Sequence, residues 1–536
     1  MLDDQINIAS KNLTLAAQKY PMFGLLALLN CIFTDFNYKK MNAKNIQEFR
    51  QLHEEVLQIL YKASRVVLKV LQNAAPEGNI PTGDEDNEED VDNDDLDLAA
   101  FQNETINGQN NSDNYNNVID TDNAHLEVGP KYQVILSCCW RVIKSASQLL
   151  STIISHAPIE NYYSNSNSDG GKSKEGDKEE KEVIPFILSY DQIITGSQYF
   201  RSLLESVRHH GAFVSVYPGY TALCELMLRS PQPQYSTLPK VWLDESLKMV
   251  KNSTAISVTR RSAGIPMLIL AVLNSESNSK KLLLPYTVNS LLEVANRPVG
   301  DHWDEQSDLP QVHALNILRS IFRESKLGSD VISYVPKVMI TTIEGFNSPA
   351  WAIRNCSTMM FSTMLNRTLG SKKTKDDFDA VNSITCREFF SHYPELHPYL
   401  LKQLNLSTKM LQESKSLNPT LFPILAILSR LQPSILASTP TVSVLNMSAF
   451  VSAVRYCGQV SIYKVREASG RALVSLISSN EIIDIVEQIV SESWTAQNQN
   501  SFHGGLMQVK FLLRGHLKSC GIKLKQGTIY CFIEII

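Results

Sequence analysis

The residues whose type and placement most invite chemistry are arginines at helix starts. Arg260 and Arg261 precede Ser262, Ala263 and Gly264, and Pro266 leads into the apolar run MLILAVL. A helix macrodipole disfavours cations at its N-terminus. Two guanidinium groups there call for an anion or a carboxylate that offsets the arrangement. A second set lies in VHALNILRSIFRESK. Val312, Leu315, Leu318 and Phe322 form an apolar face at helical spacing, and His313, Asn316, Ser320 and Arg323 form a polar stripe, solvated or facing a partner. Arg354 follows NSPAW in the same manner, where Ser348 is expected to cap a helix with Pro349 in its first turn.

Other chemistry is excluded residue by residue. There is no glycine fingerprint after a strand for a dinucleotide or S-adenosylmethionine pocket, no GxSxG elbow and no HExxH. The GGKS at 170–173 lacks the frame of a phosphate loop. His392 and His397 are five apart in HYPELHP, broken by Pro394 and Pro398, and read as surface histidines on a turn. His209 and His210, in RHHGAF, read as packing or hydrogen-bonding residues. Nine cysteines without a CxxC pair read as reduced, mostly buried thiols. No catalytic, cofactor or metal site is expected.

The elements that must carry these residues are helices. In residues 1–75, Phe49, Leu52, Val56, Leu57 and Leu60 recur at helical spacing. Residues 76–130 hold sixteen Asp and Glu and no Lys or Arg, which leaves a formal +11 on the other 481. This acidic, Asn-rich insert buries too little to order itself. A helical repeat is expected over 131–163, a polar charged loop over 164–182, and a helical core over 183–517. An atypical tail follows at 518–536. The start lacks the pattern of a signal peptide, and the apolar stretch 22–33 is shorter than the ~20 residues a bilayer span needs. A cytoplasmic protein without membrane insertion is expected.

Three core segments superimpose: VTRRSAGIPML, WAIRNCSTMMF and YKVREASGRAL. Arg261, Arg354 and Arg466 fall in register, as do Ala263, Cys356 and Ala468, and Leu268, Phe361 and Leu473. A basic residue, a small residue two further on and an apolar run mark the inner helix of a HEAT-type repeat. The fold class is therefore all-α: a HEAT/armadillo-like solenoid of stacked antiparallel helix pairs. In it each Arg bonds neighbouring carbonyls or lines the concave face.

Over roughly 132–515 the sequence resembles the THADA family. The resemblance rests on VILSCCWRVIKSAS, RHHGAF, TRRSAGIP, QVHALNILRSIFRESKLG, GFNSPAWAIRNCST, REFFSHYPELHPYLLKQL, VREASGRALV and QNQNSFHGGLMQVKFLL. Members are large non-catalytic partners of an FtsJ-like tRNA ribose 2′-O-methyltransferase acting at anticodon-loop position 32, and usually far longer. The resemblance implies a scaffold that binds tRNA and that methyltransferase, with S-adenosylmethionine on the enzyme. Arg260, Arg261, Ser262, Gly264, Pro266, His313, Asn316, Arg323 and Arg354 are the candidate contacts. The competing reading is a helical-repeat protein adaptor, such as a trafficking factor or calcium-pump regulator, without RNA binding. Salt-dependent tRNA binding separates the two.

Overall fold

The computed structural model describes residues 1–38, 45–72, 130–160, 186–252, 262, 264–277, 281–300, 309–370, 384–414, 416–433, 447–478, 480–495 and 498–519. Residues 76–129 of the acidic insert, the whole 164–182 loop, Arg260, Arg261 and the tail beyond Ser519 lie outside them. Contacts divide the chain into two compact units, and among the described residues the division falls between Leu291 and Leu292.

The first unit contains α1 (Leu2–Lys11), α2 (Leu13–Lys19), α3 (Met22–Thr34), α4 (Ile46–Leu71), α5 (Pro130–His156), α6 (Tyr190–Ser206), α7 (His210–Arg229), the short α8 (Pro233–Ser236), α9 (Leu238–Asn252) and α10 (Ile265–Ser275). Helix α11 (Leu283–Ala295) ends it and its last residues pass into the second unit. Local sequence starts these helices well. Ser189 and Gln192 form a capping box ahead of α6, and Asn12 accepts from the Leu15 amide ahead of α2. Helix α4 packs on α5, α5 on α7 and α7 on α10, while α6 pairs with α7 and α9 with α10. Three-residue connections such as that between α6 and α7 make neighbours antiparallel.

Small residues set the spacing in this stack. A Cβ on Gly196 would meet Ile154 at 3.1 Å, so α6 lies close on α5. Phe200, Tyr220 and Leu60 are fully buried. Each such side chain contributes roughly 1.5–3 kcal/mol over an exposed one. Six of the seven described cysteines are buried and none of the seven forms a disulfide, and burial pushes the Cys139 thiol up to about 12.

The second unit runs through α12 (Pro310–Arg323), α13 (Val335–Gly345), α14 (Trp351–Leu369), α15 (Cys386–His392), α16 (Leu396–Ser414), α17 (Leu421–Arg430), α18 (Ser448–Cys457), α19 (Tyr463–Leu476), α20 (Ile482–Trp494) and α21 (Gln499–Ser519). Here α12 packs on α14, α17 on α19 and α19 on α21, with α13, α18 and α20 as the respective hairpin partners of α14, α19 and α21. Inner helices that stack at every second element are the contact pattern of a helical-repeat solenoid.

Carbonyl ends are tied from one inner helix to the next. Arg367 Nη2, in the last turn of α14, donates to the Glu324 carbonyl that closes α12, at 2.9 Å. Arg430 Nη2, the last residue of α17, donates to the Gly370 carbonyl that closes α14, at 2.6 Å. Cations at these termini also meet the negative end of the macrodipole. Gly370 closes α14 at φ 76°, a left-handed conformation that favours glycine.

The described residues form no strand, only isolated bridges at Ile159–Leu188 and Thr385–Gln432, so the chain is all-α. Among them, no single helix is long and apolar enough to cross a membrane.

Candidate functional site

Helix α14 begins at Trp351 with Ala350 as its N-cap, two residues later than Ser348 and Pro349 suggest. The Ser348 hydroxyl instead accepts from the Ala350 amide at 3.3 Å. The reason is Arg354. Its Nη1 donates to the carbonyls of Ser348 and Pro349, at 2.8 and 2.7 Å, and ties that segment to the first turn of the helix. Arg466 does the same before α19. Its Nη1 donates to the Val460 and Ser461 carbonyls, both at 2.7 Å, and its Nε donates to His503 Nδ1 on α21 at 3.2 Å. The register of Arg354 with Arg466 is thus a repeat of geometry. Arg354 is half-buried and Arg466 is buried.

The TRRSAGIP segment divides at Ser262. Arg260 and Arg261 lie outside the described residues. Ser262 is fully buried at φ 64°, in the left-handed region that non-glycine residues rarely adopt. Gly264 is the N-cap of α10, and a Cβ there would collide with the Leu204 carbonyl of α6. Pro266 sits in the first turn of α10 and is buried. Gly264 therefore seats the turn against α6, and Ser262, Gly264 and Pro266 are all buried and present no surface of their own.

The polar stripe of α12 is corrected in part. His313 and Asn316 are buried, and of the candidates on this helix Arg323 stands exposed. The Cys356 thiol of α14 donates to Asn316 Oδ1 at 3.6 Å. Burial pushes that thiol up to about 12, opposed by the nearby Arg319 guanidinium and by Asn316. Arg319, which the stripe reading leaves out, is itself buried in this contact. The apolar side is a cluster of Leu315, Ala350, Ile353 and Cys356. The HYPELHP histidines also part company. His392 is exposed and bonds the Glu388 carbonyl, whereas His397 is buried edge-on against Phe390 and Phe450 and is no surface residue.

Residues 51–352, more than half of the chain, match the family model described as THADA/TRM732, DUF2428. The chain belongs to the THADA/TRM732 family. Residues 354–512 match a second model, described as Trm732, C-terminal TPR repeats, so the helix pairs expected as HEAT-type are classed there as TPR. Both are stacked antiparallel helix pairs. The chain is similar to a Chlorocebus aethiops protein named tRNA (32-2'-O)-methyltransferase regulator THADA, at 33% identity over 97% of this chain and 27% of that protein. It is similar to the Homo sapiens protein of the same name at 32% identity, over 98% of this chain and 27% of the relative. The Schizosaccharomyces pombe tRNA (32-2'-O)-methyltransferase regulator trm732 is 30% identical over 100% of this chain and 32% of its own length. The chain thus spans about a third or less of the relatives it matches. No solved structure matches it.

Within this THADA/TRM732 chain, two distant motifs meet. Trp140 of VILSCCWRVIKSAS stacks on His209 of RHHGAF, with centroids 6.1 Å apart and planes 13° apart. His209 also caps α7, its Nδ1 accepting from the Ala212 amide at 3.2 Å. The glycines of QNQNSFHGGL serve close packing. A Cβ on Gly504 would strike the Gly458 carbonyl at the end of α18, and one on Gly505 would strike Ser493 of α20.

Proposed function

We propose that this chain is the non-catalytic, regulatory portion of a system that methylates the ribose 2′-OH at position 32 of tRNA. In this reading it binds tRNA and an FtsJ-like methyltransferase in the cytoplasm, and the enzyme carries S-adenosylmethionine and the catalytic residues. One observation carries the reading: 97–100% of the chain aligns with proteins named as regulators of that methyltransferase. The arginine geometry is compatible with it. Arg354 and Arg466 stiffen helix starts, while Arg260, Arg261 and the exposed Arg323 are the candidates for outside contacts. Phosphate contacts from such residues position an RNA without reading its sequence.

The test is reconstitution. The chain, an FtsJ-like methyltransferase, tRNA and S-adenosylmethionine are combined, and 2′-O-methylation at position 32 is measured. The chain alone is expected to transfer nothing, and the enzyme is expected to methylate faster with the chain than without it. Methyl transfer by the chain alone, or an enzyme indifferent to its presence, overturns the reading.

A further inference from the structure

Helix α5 places two exposed cations beside a half-buried aromatic ring. Its 27 residues include Lys131, Arg141 and Lys144 and no Asp or Glu. Helix α3, which packs on it, has no charged residue at all. Arg141 and Lys144 are exposed and flank Trp140: the Arg141 guanidinium lies 5.9 Å from the Trp140 ring and 5.6 Å from Phe23, and Lys144 Nζ lies 5.8 Å from Trp140. Some cations of this unit have carboxylate partners, as in Arg201–Glu245 at 2.7 Å and Lys240–Asp244 at 2.9 Å. Among the described residues, Arg141 and Lys144 have neither an ion pair nor a hydrogen bond. The Trp140 ring is half-buried and stacks on the near-parallel His209 ring, with the exposed His210 beside His209 in sequence.

We propose that Trp140, Arg141, Lys144 and His209 form a contact for single-stranded RNA, in which an unpaired base extends the Trp140–His209 stack and the two cations hold adjoining phosphates. Flat rings suit any base face, and unpartnered cations on an acid-free helix suit a polyanion. An acidic protein segment would use the cations and leave the stacked rings without a flat partner. The inference rests on the reading that this chain contacts tRNA, and it places part of that contact on a surface distinct from Arg260 and Arg261 in the sequence.

The test titrates the full chain with tRNA over a range of salt concentrations. Wild type is expected to bind with a steep salt dependence. Arg141→Gln with Lys144→Gln should weaken binding and lower the slope of log affinity against log salt by about 1.4, two phosphates at the single-strand value of ~0.7 each. Both side chains are exposed, so the melting midpoint should stay put. Trp140→Leu should lose affinity with little change of slope, while Trp140→Phe, which preserves a ring and guards against misfolding, should retain most of it. Wild-type binding that survives the double Gln variant with its slope intact overturns this inference and spares the proposed function. No salt-dependent tRNA binding by the wild type overturns both. Loss of methyltransferase binding in place of tRNA binding makes the surface a protein contact and also overturns it.

Discussion

Arg354 and Arg466 are 112 residues apart, and each spends one guanidinium nitrogen on the two carbonyls five and six residues behind it. The same side chain at the same offset solves the same problem: it gives a charged donor to the last carbonyls before a helix start. A hydrogen bond from a charged donor contributes about 1.5–3 kcal/mol, and an unmet buried carbonyl costs a similar amount.

Arg466→Ala is therefore expected to destabilise the chain by about 2–3 kcal/mol, read from denaturant unfolding. Arg466→Lys should recover only part of this, because an ammonium lacks the planar fork that also reaches His503. A Lys variant as stable as wild type would mean that charge alone suffices.

Gly264 and Gly24 make a matched pair. A methyl at Gly264 drives into the Leu204 carbonyl, whereas one at Gly24 meets nothing within 4 Å. Gly264→Ala should cost about 1–3 kcal/mol through forced separation of α6 and α10. Gly24→Ala, inside the exposed face of α3, should be neutral or slightly stabilising. Equal thermal midpoints for the two variants would remove the close approach as the reason for this glycine.

For the arginine pair the expected outcomes differ. If both are outside contacts, Arg260→Ala with Arg261→Ala should leave the melting midpoint nearly unchanged, whereas loss of an internal bridge would lower it. Arg260→Ala should leave the midpoint in place and reduce methylation support in the reconstituted system. Both variants stable and fully active would discard the pair as a site.

His53 gives the pH dependence a sign. It is fully buried within Phe33, Phe36, Tyr38 and Phe49. Its Nδ1–H donates to the Phe49 carbonyl at 2.7 Å, which leaves Nε2 to accept from the Tyr38 hydroxyl at 2.9 Å. Burial lowers its pKa from 6.5, with the Phe49 bond opposing. The unfolded chain then takes up the proton first. The contribution is present in full above about pH 6.5 and is lost as the pH falls toward the lowered folded value. His516, also lowered by burial, adds in the same direction. Unfolding free energy measured from about pH 8 down to 5 should fall, and His53→Gln should flatten part of the slope. An unchanged slope would acquit His53.

Much of the fold was legible because apolar period and small residues speak directly to helix packing. The Arg354–Arg466 register was read from three aligned segments, and the structure turned it into shared hydrogen bonds. The helix start at Ser348 was misread because a local cap signal competes with a carbonyl-binding arginine one turn inside the helix. His313 and Asn316 were placed on a polar stripe because period alone cannot tell solvent from a polar-lined helix contact. The stacking of Trp140 on His209 was invisible for a different reason. The two residues lie 69 apart, and only the packing of α5 beside the α6–α7 corner joins them.

The glycine corner of α21 acts as a keyway. Gly504 and Gly505 seat only where Gly458 and Ser493 leave room, and Gly470 of α19 meets the Phe511 ring further along. Sliding α21 by one residue, about 1.5 Å, would push His503 or Leu506 into that slot. The helix is thus indexed along its axis, like a shaft on a key. The exposed rings at its start, Phe502 against Trp494 and His503 against Tyr463, inherit their positions from that indexing. An exposed surface is thus machined from below, by residues that have no side chain.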